Sequence, residues 1–128
     1  MDYEFDFETE LPEDMLELLL GLGKDMGIDP ISSDAMESYF CTLWKQFSGD
    51  KRERQGYFER AIKRDFKVMK EYPHWLQETE WQFHNGKPMI FVGQLDATIR
   101  RDGGLYGVSF YVFWDEKDGT TKTVTQCD

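Results

Sequence analysis

Residues 81–91, Trp81-Gln82-Phe83-His84-Asn85-Gly86-Lys87-Pro88-Met89-Ile90-Phe91, mark the point where the chain changes period. Trp81 and Phe83 alternate with polar residues, Asn85-Gly86 is the pair that a two-residue hairpin turn favours, and apolar side chains resume at Met89 and Phe91. From here to the C-terminus the pattern stays at period two. Pro88 to Ile99 places Met89, Phe91, Leu95 and Ile99 on one face, and Arg100 to Gly104 reads as a loop. Val108 to Trp114 is a strand of aromatic and β-branched residues, and Asp118-Gly119 is a second hairpin turn before a Thr-rich strand, Thr120 to Gln126. Residues 73–128 are thus expected to form a four-stranded antiparallel meander.

Upstream, the spacing is helical. Pro12 suits a first helical turn, Glu13 and Asp14 complement its dipole, and Met15, Leu16, Leu18, Leu19, Leu20 and Leu22 supply an apolar side before Gly23. A second helix starts at the Ser32-Ser33-Asp34 cap and carries Met36, Tyr39, Phe40, Leu43, Trp44 and Phe47 at spacings of three and four until Gly49. The third is expected from Glu53 to Glu71, with Tyr57, Phe58, Ala61, Ile62, Phe66 and Met69 on one stripe, stopped by Pro73. Helices followed by an antiparallel run give an α+β fold, with about three N-terminal helices packed on one face of the C-terminal sheet.

A chain of 128 residues has the length of one domain, and ten Phe, six Tyr and four Trp supply its core despite a mean hydropathy of −0.63. The expected organisation is one domain over 1–128: an acidic arm over 1–11, a helical part over 12–72 and a β part over 73–128. No apolar run reaches the length of a membrane helix, and the acidic start Met1-Asp2-Tyr3-Glu4 is unlike a secretory signal, so a cytoplasmic location is expected. Two cysteines, Cys41 and Cys127, fit a reducing compartment and make no disulfide framework.

Charge is the feature that bears most on function. The net charge is −10, and residues 1–25 hold nine acids against Lys24 alone, whereas residues 51–70 are net basic. Such a balance argues against direct nucleic-acid binding and for a cationic partner. Asp2 to Glu8 alternates acid and aromatic, so an extended arm would present Tyr3, Phe5 and Phe7 on one side and four carboxylates on the other. The carboxylates are expected either to face water, to pair with the chain's own basic third helix, or to dock a basic partner. In the docking reading the partner-binding residues are Asp2, Glu4, Asp6, Glu8, Glu10, Glu13 and Asp14.

Catalytic signals are absent. Cys41 sits in a helix as a structural thiol, Cys127 is penultimate, and His74, His84, Cys41 and Cys127 lack the spacing of a zinc site, so no catalytic residue, metal or cofactor is expected. Glu78 and Glu80 would share a strand face, but such pairs arise by chance among 25 acids. Gly103-Gly104 does not lie between a strand and a helix, as a phosphate loop would, and the basic side of the third helix reads as a solvated face.

The segments Tyr72-Pro73-His74-Trp75-Leu76-Gln77, Gly86 to Asp96 and Phe110-Tyr111-Val112-Phe113-Trp114, closed by Val124-Thr125-Gln126, resemble the pattern of the YwqG-like bacterial domains of unknown function over about 55 residues. The helical first 70 residues depart from that pattern. Such domains resemble interaction modules, and the whole chain looks like an immunity protein of a polymorphic toxin. The resemblance implies an antitoxin that neutralises a cationic toxin domain, such as a nuclease, by direct binding. Trp75, Gln77 and Gln94 are equally explained as core packing and as partners of strand backbone. The competing readings are a non-catalytic adaptor subunit, or an enzyme or small-ligand binder using an aromatic sheet face around Trp81, Tyr111 and Trp114.

Overall fold

Ser33 caps the helix that the Ser-Ser-Asp motif announces: its Oγ accepts the Met36 N–H at 3.1 Å, satisfying a donor that the first helical turn leaves free. The structure, a computed structural model, describes residues 9–128. Three helices, α1 (Glu13–Gly23), α2 (Asp34–Gln46) and α3 (Arg54–Asp65), precede five strands, β1 (Phe83–His84), β2 (Lys87–Pro88), β3 (Ile90–Arg101), β4 (Gly104–Trp114) and β5 (Thr121–Cys127). The fold is α+β, as expected. Among the described residues no helix is long and apolar enough to cross a membrane.

Both ends of α1 differ slightly from expectation. Pro12 stands just before the helix at φ −59° and ψ 151°, and Gly23 leads into a 3-10 turn, Lys24–Met26, that Gly27 closes at φ +69°. The expected continuation of α3 to Glu71 is incorrect: the helix stops at Asp65. Phe66 is buried, and the chain then turns extended, with Phe91 donating to the Lys67 carbonyl and accepting from Met69 N–H at 2.9 and 3.0 Å. This parallel bridge of Val68 to Phe91 gives the edge of β3 backbone partners that a further helical turn would forfeit.

The expected four-stranded meander is also corrected. The strands form a two-stranded ribbon, β1-β2, and a separate three-stranded antiparallel sheet, β3-β4-β5. The Asn85-Gly86 turn is present, with φ of 51° and 75°, the backbone that favours this residue pair. Met89 N–H reaches the Gln82 carbonyl at 2.9 Å, but the Trp81 indole N–H takes the Met89 carbonyl at 3.0 Å. That acceptor is lost to the ladder, and the ribbon ends where the larger sheet begins. The loop expected over residues 100–104 is instead a two-residue turn at Asp102-Gly103, with φ of 50° and 78°, and β3 pairs with β4 out to Arg101 and Gly104.

A β-bulge between Phe91 and Gly93 redistributes the side chains of β3. Phe91 pairs with Phe113 before it and Leu95 with Phe110 after it, so the single face expected for Phe91, Leu95 and Ile99 is split in two. The inner face carries Phe91, Tyr111 and Phe113 and meets the helices. Trp81 lies 5.1 Å from Phe66 and 5.6 Å from Phe113, ring centre to ring centre, and the core continues through Phe40, Phe58 and Ile62 to Met15 and Leu19.

The segment joining the two halves crosses the inner face near its open end. Tyr111 donates its hydroxyl to the His74 carbonyl at 2.9 Å and accepts the Leu76 N–H at 3.0 Å, while Gln94 holds both backbone groups of His74. Gln126 accepts from Gln77 N–H and donates to the Glu78 carbonyl and the Glu80 carboxylate. Trp75 stacks on Tyr111 at 4.5 Å and donates to the Gly27 carbonyl at 2.8 Å. Glu78 and Glu80 therefore lie in an irregular segment and not on a strand face.

Candidate functional site

Three places bear on function: the acidic corner where the arm joins the helices, the open face of the sheet, and a cleft beside the β1-β2 ribbon. Of the residues expected to dock a partner, Asp2, Glu4, Asp6 and Glu8 lie outside the described residues. Glu10 pairs with Lys45 of α2 at 2.9 Å, Asp14 pairs with Arg54 of α3 at 2.9 Å, and Glu13 is exposed in the first turn of α1. The pairing with the third helix expected for the arm carboxylates falls on Asp2, Glu4, Asp6 and Glu8, outside the described residues; Asp14, in the first turn of α1, meets that helix at Arg54. Burial of the Asp14 carboxyl opposes its ionisation, but the Arg54 guanidinium and the Met15 N–H outweigh that and hold it below the usual carboxylate range.

Glu10 lines a groove of about 300 Å³ with Asp34, Glu37, Cys41 and Lys45. Asp34 and Glu37 come from the start of α2, so the helix dipole favours both, and Lys45 is the one base in the lining. Burial, then the charges of Glu37 and Glu10, push the Cys41 thiol up, which makes it a poor nucleophile. The groove concentrates an asymmetry of the whole chain. Residues 1–46 carry twelve acids and two bases, whereas residues 47–128 carry thirteen of each, so the entire net charge of −10 resides on residues 1–46.

The aromatic sheet face expected around Trp81, Tyr111 and Trp114 does not exist as one surface. Trp81 and Tyr111 are buried against the helices, whereas Trp114 pairs with Ile90 on the opposite face. That outer face presents Leu95, Ile99, Tyr106, Phe110, Val112 and Trp114 beside the threonines of β5. Leu95 is 67% exposed there, against 2% for Phe91 four residues earlier.

The cleft beside the ribbon, of about 720 Å³, is more polar. Its floor holds Tyr39, whose hydroxyl donates to Asp65 at 2.5 Å, and Arg64, which grips the same carboxylate through Nε and Nη2 at 2.8 Å. Burial raises the pKa of Asp65, but Arg64 and Tyr39 together carry it below the usual range; burial and then Asp65 push the Tyr39 hydroxyl well above its own. At the rim, Lys122 donates to the Phe83 carbonyl at 2.7 Å and ties the ribbon to β5. This brings His84 to the β4-β5 turn, where its Nε2 lies 2.8 Å from Asp118 Oδ2 and 3.9 Å from Asp115 Oδ2. Lys87 and Lys117 also line the cleft, and the close side-chain approach of Lys117, then its charge, holds the Lys87 ammonium below its usual range.

The sequence reading recognised both turns but not that they meet, because His84 is 31 and 34 residues from the two carboxylates and no local spacing joins them. Among the described residues the cleft lining holds no Ser, Thr or Cys, and its one hydroxyl, that of Tyr39, is bonded to Asp65. Comparisons with family models, with curated proteins and with solved structures find no match to this chain, and the functional reading rests on this geometry.

Proposed function

We propose that the chain is a small acidic binding protein of the immunity type, which captures a cationic toxin domain by direct protein contact at the corner built from the arm, the start of α1 and the start of α2. The observation that carries this reading is the convergence of Glu10, Asp34 and Glu37 on one groove, in the half of the chain that bears all of the net charge. A one-sided negative field steers a basic partner into place and rejects acidic competitors, raising association rates toward about 10⁸ M⁻¹s⁻¹ at low salt. The sequence adds Asp2, Glu4, Asp6, Glu8 and Glu13 to the acids of the same N-terminal stretch. Asp14, paired with Arg54, and Glu10, paired with Lys45, contribute less charge to docking than Asp34 and Glu37.

The test is an affinity-tagged capture from the source cells at low and high salt, followed by titration of the captured protein against the purified chain. The reading expects a basic protein in stoichiometric amount, inhibited on binding, with affinity that falls steeply with salt and falls at least about tenfold in Glu10→Lys with Glu37→Lys. Affinity unchanged by that double reversal at low salt overturns the docking site; a captured protein whose activity survives binding overturns the inhibitor.

A further inference from the structure

We propose that His84, Asp115 and Asp118 form a binding site for one divalent transition-metal ion of the zinc class, a property separate from partner capture by the acidic corner. One ligand atom from each residue lies within 4.8 Å of the other two. Three donors around an ion at about 2.0–2.2 Å stand roughly 3.4 Å apart in a tetrahedral site, so rotamer adjustments within the existing spread suffice to close on it.

Each carboxylate is already oriented by the turn that carries it. Asp115 Oδ1 accepts the Lys117 N–H at 2.8 Å and Asp118 Oδ1 accepts the Thr120 N–H at 2.9 Å, which leaves both Oδ2 atoms toward the imidazole. The Asp115 side chain is only 15% exposed, yet its Oδ2 accepts no hydrogen bond among the described residues. Two carboxylate oxygens brought toward one imidazole repel each other, and a dication would satisfy both. The histidine comes from a different hairpin, fixed by the Asn85-Gly86 turn and by Lys122 on the Phe83 carbonyl, so the three donors belong to two rigid elements.

One imidazole with two carboxylates is a borderline donor set, suited to Zn²⁺, Co²⁺ or Ni²⁺ and poorly suited to Ca²⁺ or Mg²⁺, which take oxygen ligands alone. When the ion binds, the ring proton shared with Asp118 is carried on Nδ1 or lost to solvent, and the Nε2 lone pair faces the metal. Lys87 and Lys117, which line the same cleft, lessen its attraction for a cation, so the test compares affinities and not mere occupancy.

The experiment adds Co²⁺ or Zn²⁺ alone to the chelator-treated full chain. Saturable binding of one equivalent is expected, with a rise in melting temperature, and Co²⁺ should displace the ring signals of His84 in an NMR spectrum while sparing His74. Asp115→Asn and His84→Gln should each weaken binding by at least about tenfold, and Cys127→Ser should leave it unchanged. The ring signals of the unaltered chain decide the matter even if a variant fails to fold. No saturation at about 1 mM metal, equal perturbation of both histidines, or a preference for Ca²⁺ over Zn²⁺ overturns the proposal.

Discussion

Asp14 meets Arg54 at 2.9 Å across 40 residues of sequence, joining the acidic first helix to the first residue of the basic third one. The guanidinium also lies 4.9 Å over the Trp44 ring, and its Nε is buried without a hydrogen-bond partner among the described residues. Arg54 therefore clips all three helices together through an ion pair, a cation–π contact and a packed stem. Arg54→Ala is expected to cost about 1–2 kcal/mol, read as a lower urea midpoint. Asp14→Asn removes only the exposed partner and should shift the midpoint less, so an equal loss in both variants would show that the ion pair alone holds the corner.

Two glycines near the end of the first helix predict opposite effects. Gly21 lies inside α1 with nothing within 4 Å of an added Cβ, so Gly21→Ala should stabilise by about 0.5–1 kcal/mol. Gly27 has φ +69°, and a Cβ there would stand 2.8 Å from Trp75 Nε1 and 2.9 Å from the Pro73 carbonyl. Gly27→Ala should therefore lower stability by more than about 1 kcal/mol, and thermal melts of the two variants should move in opposite directions.

Tyr111 is wholly buried, and its hydroxyl serves the backbone of the crossing segment twice, at His74 and Leu76. Tyr111→Phe keeps the ring against Trp75 but strands the Leu76 N–H, while the His74 carbonyl keeps the Gln94 amide. The expected loss is about 1–3 kcal/mol, and hydrogen exchange at Leu76 should speed up more than exchange in α2. A uniform acceleration would mean that the hydroxyl does not hold this segment.

Acid should destabilise the fold through particular carboxylates. Asp65 is held below the usual range by Arg64 and Tyr39 against its own burial, Asp96 by Ser109 and Gln94, and Asp118 at about 2 by the Thr120 backbone and His84. A group whose folded pKa is depressed contributes stability that is fully present above its unfolded value, near 4, and is lost as the pH falls through the folded one. The urea midpoint should thus drop between about pH 4 and pH 2, and Asp65→Asn should flatten part of that slope. An unchanged slope in the variant would remove Asp65 from the account.

The parts of this fold that could be read locally are those whose cause is local. Ser33 caps α2 with its own side chain, and Asn85-Gly86 bends the chain through its own backbone preference. Asp102-Gly103 is a turn of the same chemistry, but Arg100 and Arg101 beside it break the apolar alternation that flags the others. The end of α3 is set by a strand 26 residues downstream of Asp65, since Phe91 offers the backbone partners that draw residues 67–69 out of the helix. The His84 cluster has the same kind of cause: each turn is visible alone, and contacts distant in sequence, Lys122 with Phe83 and His84 with Asp118, bring them together. In the acidic groove, Glu10 was recognisable from charge, whereas Asp34 and Glu37 share the groove with it through the position of Glu10 beside Lys45 of α2.

The bulge in β3 makes a prediction that separates the two sheet faces. Without it, Phe91 and Leu95 share a face by the period of two, and both would be core residues. With it, Phe91 lies among Trp81, Tyr111 and Phe113, while Leu95 faces outward opposite Phe110. Phe91→Ala should cost about 3–5 kcal/mol through the cavity it leaves. Leu95→Thr, at an exposed position where a β-branched residue suits the strand, should change stability by no more than about 0.5 kcal/mol. The pair is measured by urea unfolding with the slope checked for constancy. A loss at Leu95 comparable to that at Phe91 would place both on the core face and refute the bulge. A small loss at Leu95 accompanied by reduced self-association would instead identify the apolar outer face as a surface that seeks cover.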